Sequence, residues 1–307
     1  MAVPPGARLT APVTAVVLSW NGREDTLACL ESLAAATYPR LSVVVVDNAS
    51  TDGAPGAVAG EFPDVRLIAL DENRGFAGGV DVGLTAALED GADSVLLLNN
   101  DATVEPGFLE PLVTAAAADG VGAACAQILD AATGRVWYAG ATYDPRRGHQ
   151  GRHTGYGLPP LPPETAPYET DRACGGAMLI PRSALERVGP LETELFAYAE
   201  DVEWSLRARA AGLRIVVVPA SVVHHRVSAS SGGASSPDSL YYALRNGLVV
   251  AERAAPLGRL GTARRRAEAA AAFVAQALRS RTPLEGLRAV LAGMGDARRL
   301  ELGPRRR

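Results

Sequence analysis

The 307-residue sequence contains no lysine; all 30 of its basic residues are arginine. That absence removes whole classes of chemistry. A Walker A phosphate loop needs its lysine on the β- and γ-phosphates, and Schiff-base or pyridoxal enzymes need a lysine amine. Sugar-nucleotide pyrophosphorylases, which usually use lysines, are disfavoured on the same ground. Together with the abundance of alanine, the missing lysine matches a GC-rich genome. Cysteine is scarce too: Cys29, Cys125 and Cys174 are odd in number and widely spaced. They suggest reduced thiols in a cytoplasmic protein rather than a disulfide framework or a zinc site. No run approaches the ~18–20 apolar residues of a membrane span. The Pro/Gly-rich stretch Met1 to Pro12 lacks the apolar segment of a signal peptide. The expectation is a protein that is soluble or peripheral to a membrane. A net charge of −4 argues against a dedicated nucleic-acid binder. What remains is 48% apolar, enough for one large α/β domain with an extension or for two small domains.

The first third alternates between two periodicities. Val13 to Ser19, Leu41 to Val46, Val65 to Leu70 and Ser94 to Leu98 are short apolar runs that predict buried strands. Between them, Arg23 to Ala36 and Phe76 to Leu88 have helical spacing, and Pro106 opens a further helix. Apolar strands alternating with helices predict a mostly parallel sheet covered on both faces, with ligands at the carboxyl ends of the strands. Polar clusters stand at those ends: Ser19-Trp20-Asn21, Asp47 to Asp52, and Asn99-Asn100-Asp101. Residues 144–170 are rich in Gly and Pro and read as a long loop. An acceptor-facing flap and a plain surface excursion both fit it. Ala177 to Ile180 and Arg214 to Val218 predict strands, with Asp201 to Ala211 and Leu240 to Arg253 as helices. From Gly261 onward, 11 Arg face 4 Asp/Glu, and Ala267 to Leu278 has amphipathic spacing. A solvated helical tail and a tail docking on an anionic membrane or partner both fit that composition.

Several clusters carry chemistry. Asp47-Asn48-Ala49-Ser50-Thr51-Asp52-Gly53 has side chains for a nucleobase or ribose, and equally for a strand–helix turn. Asn73-Arg74-Gly75-Phe76-Ala77-Gly78-Gly79 precedes a helix, where glycine admits a diphosphate and the helix N-terminus favours its charge. It is not G-x-G-x-x-G, which disfavours an NAD-type oxidoreductase. Asp101 ends a buried strand, where a hard divalent cation would take it together with donor phosphate oxygens. Glu200, Asp201 and Glu203 concentrate acid at a helix start. This placement suits either a general base or the helix dipole, and Asp201 and Glu203 point in different directions. His224 and His225 are adjacent on a strand, so at most one faces a pocket. Arg245 offers a guanidinium that could clamp phosphate.

Taken in order, these blocks resemble family 2 of the inverting glycosyltransferases with the GT-A fold, in particular its bacterial rhamnosyltransferase-like and galactofuranosyltransferase-like branch. The resemblance runs from about Val13 to Asn246. It rests on DNASTDG (47–53), ENRGFAGG (72–79), LLLNND (96–101), CGGAMLI (174–180), AEDVEWSLRARAAG (199–212), VVHHRVSASSGG (222–233) and YYALRN (241–246).

The resemblance implies a Rossmann-like, mostly parallel central sheet over residues 1–255 and an Ala/Arg-rich helical extension over 256–307. Asp201 would be the catalytic base. Ser19, Asn21, Asp47, Asn48, Ser50, Asp52, Asn73, Gly75, Gly79, Asn100 and Arg245 would hold the donor nucleotide. Gly175, Gly176, Glu200, Glu203 and Trp204 would lie on the acceptor side. Asp101 and His225 would bind a divalent cation, Mg2+ or Mn2+. Two positions depart from the family pattern: Asn99 stands where many members carry the first metal-motif Asp, and Asp81 where members often show Asn.

The implied reaction is transfer from a nucleoside-diphosphate sugar to a hydroxyl of a cell-envelope glycan or lipid-linked acceptor. The branch suggests dTDP-rhamnose first and UDP-linked donors next. The implied location is cytoplasmic, peripheral to the inner face of the membrane if the basic tail docks there. The rival reading is an inactive sugar-nucleotide or glycan-binding module on the same fold, against which the intact Asp101, Asp201 and His225 count.

Overall fold

The protein is described by a computed structural model covering residues 10–147, 151–226 and 235–305. The first half is a run of β/α units. These are β1 (Val13–Ser19), α1 (Arg23–Ala34), β2 (Leu41–Asp47), α2 (Ala54–Glu61), β3 (Arg66–Ala69), α3 (Gly75–Glu89) and β4 (Ser94–Asn99). Their strands pair in the order β3-β2-β1-β4, all parallel. Such pairing needs helical crossovers on the sheet faces, so Val45, Leu96 and Leu97 are buried in both directions. Gly83 is where α3 approaches closest: a Cβ there would lie 2.3 Å from Val16.

The second half is mixed. It comprises β5 (Ala102–Val104), α4 (Leu109–Ala116), β6 (Val121–Asp130), β7 (Val136–Tyr138), β8 (Ala141–Thr142), β9 (Arg152–His153), β10 (Tyr168–Glu169), β11 (Ala177–Pro181), α5 (Arg182–Val188), α6 (Glu200–Ala210) and β12 (Arg214–His225). β11 inserts antiparallel between β4 and β6, while β12 lies parallel to β6. The sheet is therefore parallel through its first four strands and mixed beyond them. β12 also corrects the expectation of a strand ending at Val218. Pro219 cannot donate to a ladder, but a register irregularity between Val218 and Val222 carries the strand past it to His225. Within the stretch 144–170, of which 148–150 lie outside the described residues, Leu158 and Leu161 are pinned to the sheet. Leu161 N–H donates to the Gln127 side-chain oxygen at 2.6 Å, and Val136 N–H donates to the Leu158 carbonyl at 3.0 Å.

Three helices complete the chain: α7 (Pro237–Ala254), α8 (Arg259–Leu278) and α9 (Pro283–Arg299). Ser236 caps α7 by accepting the Ser239 N–H at 3.1 Å, with Pro237 in the first turn. A second apolar cluster joins Leu244, Leu248 and Val249 of α7 to Ala269 and Ala277 of α8 and Val290 of α9. The three cysteines are buried and free. No helix among the described residues is long and apolar enough to cross a membrane. The Ser/Gly-rich stretch 227–234 and the N-terminal residues 1–9 lie outside the described residues.

Candidate active site

Register brings the polar strand ends to one level. Ser19 of β1 is opposite Asp47 of β2, Leu18 is opposite Asn99 of β4, and His225 closes β12 beside Ala102 of β5. The crevice at this carboxyl edge is where a parallel sheet offers its ligand site.

Around the ends of β1 and β2, most of the polar side chains are engaged with each other or with nearby backbone. Asn48 accepts from Arg74 N–H at 2.8 Å and donates to the Gly75 carbonyl at 3.0 Å, tying β2 to the loop before α3. Asn73 accepts from Gly75 N–H at 2.8 Å. Asn21 accepts from Thr51 N–H, while its own N–H donates to the Ser50 hydroxyl at 2.9 Å. Asp52 accepts from Arg23 N–H at 2.8 Å and from Ala54 N–H at 3.1 Å. Ser19 and Asn100 both bond the Thr26 hydroxyl, at 2.9 and 3.0 Å. Asp47 differs. One carboxylate oxygen accepts from Ser50 N–H at 2.9 Å, while Oδ1 is buried with no protein partner. A buried carboxylate oxygen without a donor is costly, so it marks where a ligand N–H or O–H fits.

The second unpartnered carboxylate oxygen is Oδ1 of Asp101. His225 Nε2 lies 2.8 Å from it, yet the pair is not aligned as a hydrogen bond, and both side chains are buried. An imidazole nitrogen converging on an otherwise unpartnered buried carboxylate oxygen is an arrangement that a hard cation would reconcile. Magnesium-type ions are commonly held by one or two protein groups plus substrate phosphates. The site fits such an ion with only two protein ligands; among the described residues no group of three or more His, Cys, Asp or Glu gathers. Asn99, where a further acid would serve, has its amide nitrogen 3.4 Å from His225 Nε2. His224 points away, its Nε2 3.4 Å from Glu105 on the exposed side.

The acid cluster lies across the crevice. Asn99 N–H donates to the Gly176 carbonyl at 3.1 Å, and Gly175 N–H donates to Asp201 at 3.2 Å, so one short backbone link joins the two sides. Arg172 is buried, with its Nη1 3.6 Å from Asp201 Oδ2 and its Nε unpartnered. Glu200 is buried beside Asp201 with Oε2 unpartnered; burial first, then the Asp201 charge, pushes its carboxyl from 4.5 up to about 8. Asp201 thus stands beside a guanidinium and a backbone N–H, with an uncharged carboxyl as its neighbour at neutral pH.

The loop before α6 is strained: Phe196, Tyr198 and Ala199 all have positive φ, at 67°, 67° and 68°. What holds it comes from α7. Asn246 donates its side-chain amide to the carbonyls of Leu195, Ala197 and Tyr198 at 2.7–2.9 Å, and Arg245 donates to the Leu195 carbonyl at 3.1 Å. This corrects the phosphate-clamp expectation for Arg245. Its guanidinium is fully buried and spent on Leu195, Gly303, Asn246 and the Tyr241 hydroxyl, so no donor reaches the crevice.

Four other residues do not stand where expected. Gly79 meets Leu18, which a Cβ would approach to 2.4 Å, so the glycine serves helix–sheet packing. Gly75 faces the Phe196 carbonyl rather than an open phosphate cradle. Trp204 is fully buried and donates to the Gly189 carbonyl at 2.9 Å. Glu203 turns along α6 to pair with Arg207 at 2.8 Å. Arg172 and Asn246 carried no sequence signal of their own as site residues. Nor did Trp137, whose ring meets His225 edge-on at 5.0 Å and His153 at 4.9 Å.

Comparison with known proteins agrees with this fold. The family profile "Glycosyl transferase family 2" matches residues 14–189. The N-acetylglucosaminyl-diphospho-decaprenol L-rhamnosyltransferase of Mycobacterium tuberculosis is 30% identical over 240 residues, covering 72% of this chain and 77% of its own. Among solved structures, GalNAc-T7 with UDP, GalNAc and Mn2+ superposes with a TM-score of 0.62 at 18% identity over 79% of this chain, which spans 48% of that protein. The mannosyltransferase PcManGT of Pyrobaculum calidifontis, in complex with GDP-Man and Mn2+, gives a TM-score of 0.55 at 22% identity, covering 95% and 84%. At these identities the two structures speak for the fold alone.

Proposed function

The chain belongs to glycosyl transferase family 2, and from that premise we propose that it transfers a sugar from a nucleoside diphosphate to an acceptor hydroxyl, with inversion at the anomeric carbon. The single observation that carries the reading is the pair of unpartnered buried carboxylate oxygens, on Asp47 and Asp101, lining one strand-end crevice opposite Asp201. Asp47 Oδ1 would accept from the base; thymine and uracil both present an N–H donor to such an acceptor. Asp101 and His225 would hold a divalent cation, Mn2+ or Mg2+, which when bound supplies positive charge against the departing diphosphate.

Asp201 removes the acceptor proton. The acceptor oxygen bonds to the anomeric carbon as the carbon–oxygen bond to the diphosphate breaks, and the nucleoside diphosphate leaves with that electron pair. A positioned base contributes about 10²–10⁴ in rate. Arg172 and the Gly175 N–H hold the Asp201 carboxylate in place, and the loop that Asn246 braces fixes where α6 begins. Rhamnose is the preferred sugar and a lipid-linked glycan the preferred acceptor class, on the strength of the mycobacterial relative's name alone.

The test is consumption of dTDP-rhamnose, and of UDP-linked sugars, with and without a polyprenyl-diphosphate-linked acceptor, repeated with Asp201→Asn. Turnover that falls by at least ~10² in the variant supports the assigned base. Turnover unchanged in that variant removes it, and nucleotide-sugar binding without turnover in the parent protein would make the chain a binding module.

A further inference from the structure

The arginines of α8, α9 and their connections fall into two sets. Arg264, Arg266, Arg299 and Arg305 each pair with an acid (Glu268, Glu252, Asp296 with Glu301, and Asp238, respectively), and Arg265 is buried. Arg259, Arg279, Arg281, Arg288 and Arg298 are exposed and form no ion pair among the described residues. The second set is interleaved with leucines that stand in solvent. Leu260 is 89% exposed, Leu278 58%, Leu284 74% and Leu291 72%.

Helical spacing gathers these residues. On α9, Leu284, Arg288, Leu291 and Arg298 recur at intervals of three, four and seven, so they share one face. The opposite face, through Val290, Gly293 and Ala297, grips α7 and α8. Leu278, Arg279 and Arg281, at the end of α8 and in its connection to α9, are exposed as well. One exposed carboxylate, Glu285, borders it. A solvated helix would pair its arginines along the helix, as Arg264 does with Glu268, and would not leave leucines standing in water.

We infer that the outer face of α9 and the α8–α9 turn docks on an anionic lipid bilayer, with Leu278, Leu284 and Leu291 entering the acyl boundary and Arg279, Arg281 and Arg288 meeting headgroup phosphates. A bilayer satisfies both features together: leucine side chains leave water, and guanidinium groups find multivalent anions in the same plane. The face is coupled to the crevice from behind. Beyond α9, Gly303 N–H donates to the Glu194 carbonyl at 2.7 Å and the Gly303 carbonyl accepts from Arg245, next to the loop that leads into Asp201. The inference does not depend on which sugar is transferred, or on whether transfer occurs.

The experiment is co-sedimentation of the full chain with vesicles of phosphatidylcholine alone and of phosphatidylcholine mixed with phosphatidylglycerol, at low and high salt. Expected is binding only to the anionic vesicles, weakened by salt. Arg281→Glu with Arg288→Glu should reduce it by about 25-fold or more, at roughly fivefold per removed charge. Leu284→Ser with Leu291→Ser should reduce it by about tenfold or more. All four positions are exposed, so melting temperatures should match the parent protein. Absence of binding to anionic vesicles, or equal binding by either double variant, overturns the inference. So does a leucine variant that converts a dimer to a monomer while the parent protein ignores vesicles, since the face would then belong to a second copy. Turnover of a soluble acceptor should be unaffected by these variants, which separates this outcome from failure of the transferase reading.

Discussion

Gly75 and Phe196 lock the two halves of the crevice together. A Cβ on Gly75 would stand 2.3 Å from the Phe196 carbonyl oxygen and 2.7 Å from its ring, and both residues have positive φ. Two residues on, Ala77 N–H donates to the same carbonyl at 3.3 Å. The loop that opens α3 on the donor side therefore sets the position of the loop that delivers Asp201.

Gly75→Ala should test that lock. The left-handed backbone alone costs about 1–3 kcal/mol for a non-glycine residue, and the clash with a backbone carbonyl adds to it. The expected result is a melting temperature lowered by several degrees with turnover reduced beyond the stability loss, because α6 moves when Phe196 is displaced. Gly53→Ala is the control: its φ is also positive, at 81°, but nothing lies within 4 Å of the new Cβ. If the two variants lose equal activity, the contact with Phe196 has no role in the site.

Arg245→Ala should destabilise the fold and leave nucleotide affinity nearly unchanged. Truncation leaves the buried Asn246 side-chain oxygen and the Gly303 carbonyl without their guanidinium donors, at roughly 1–3 kcal/mol for a buried group left unsatisfied, while the Leu195 carbonyl keeps the Asn246 amide. Equilibrium denaturation gives the first quantity and calorimetric titration of a nucleoside diphosphate the second. A large fall in nucleotide affinity in a variant that remains folded would return Arg245 to the phosphate site.

How far the sequence could be read depended on whether a signal was local. Apolar runs ending in polar clusters made β1, β2 and β4 legible, because a strand buried on both faces must be apolar throughout and must stop where the crevice begins. The acids massed at the start of α6 are legible in the same way, but the choice of Asp201 among them rests on the family resemblance. The role of Arg245 was not legible: five guanidinium donors suit a phosphate or a set of carbonyls equally, and only the fold reveals that Leu195 and Gly303 are its neighbours. Gly75 and Gly79 were misread in the same way. Glycine permits close approach, and the sequence does not say that the approaching groups are Phe196 and Leu18. Arg172, in the connection between β10 and β11, meets Asp201 of α6 only in the folded chain, so no spacing rule could reveal it.

Glu200 makes stability depend on pH in a defined direction. Its carboxyl is raised from 4.5 to about 8 by burial and by the Asp201 charge. Between those values the folded chain keeps a proton that the unfolded chain has lost, so this contribution is full below about 4.5 and is lost as pH rises through about 8. Glu200→Gln removes the titration and keeps the shape. Its melting temperature relative to the parent protein should therefore climb between pH 5 and pH 8. Parallel curves for the two proteins across that range would mean that Glu200 is not held neutral by the fold.

The cation site makes the sharpest separation between scaffold and chemistry. Asp101 Oδ1 and His225 Nε2 meet at 2.8 Å without a hydrogen bond, and beyond the His225 contacts with Trp137 and Asn99 neither side chain ties down another element among the described residues. Removing either should therefore leave the fold intact, or even relieve the cost of an unpartnered buried carboxylate. What should disappear is the linkage between metal and nucleotide. With the parent protein, Mn2+ and a nucleoside diphosphate together should raise the melting temperature by more than the sum of their separate effects, because each ligand binds only the folded state and each completes the other's site. Chelation should abolish the excess. Asp101→Asn and His225→Ala should show the nucleotide-only shift and no metal-dependent increment, since Asp47 and the surrounding loop remain in place. Asn99→Asp tests the opposite direction. It puts a carboxylate where an amide nitrogen now lies 3.4 Å from His225, adds a third acidic or imidazole ligand, and should increase the metal-dependent increment. If the double ligand effect survives in both Asp101→Asn and His225→Ala, the cation is held elsewhere and these two residues are no more than a buried pair.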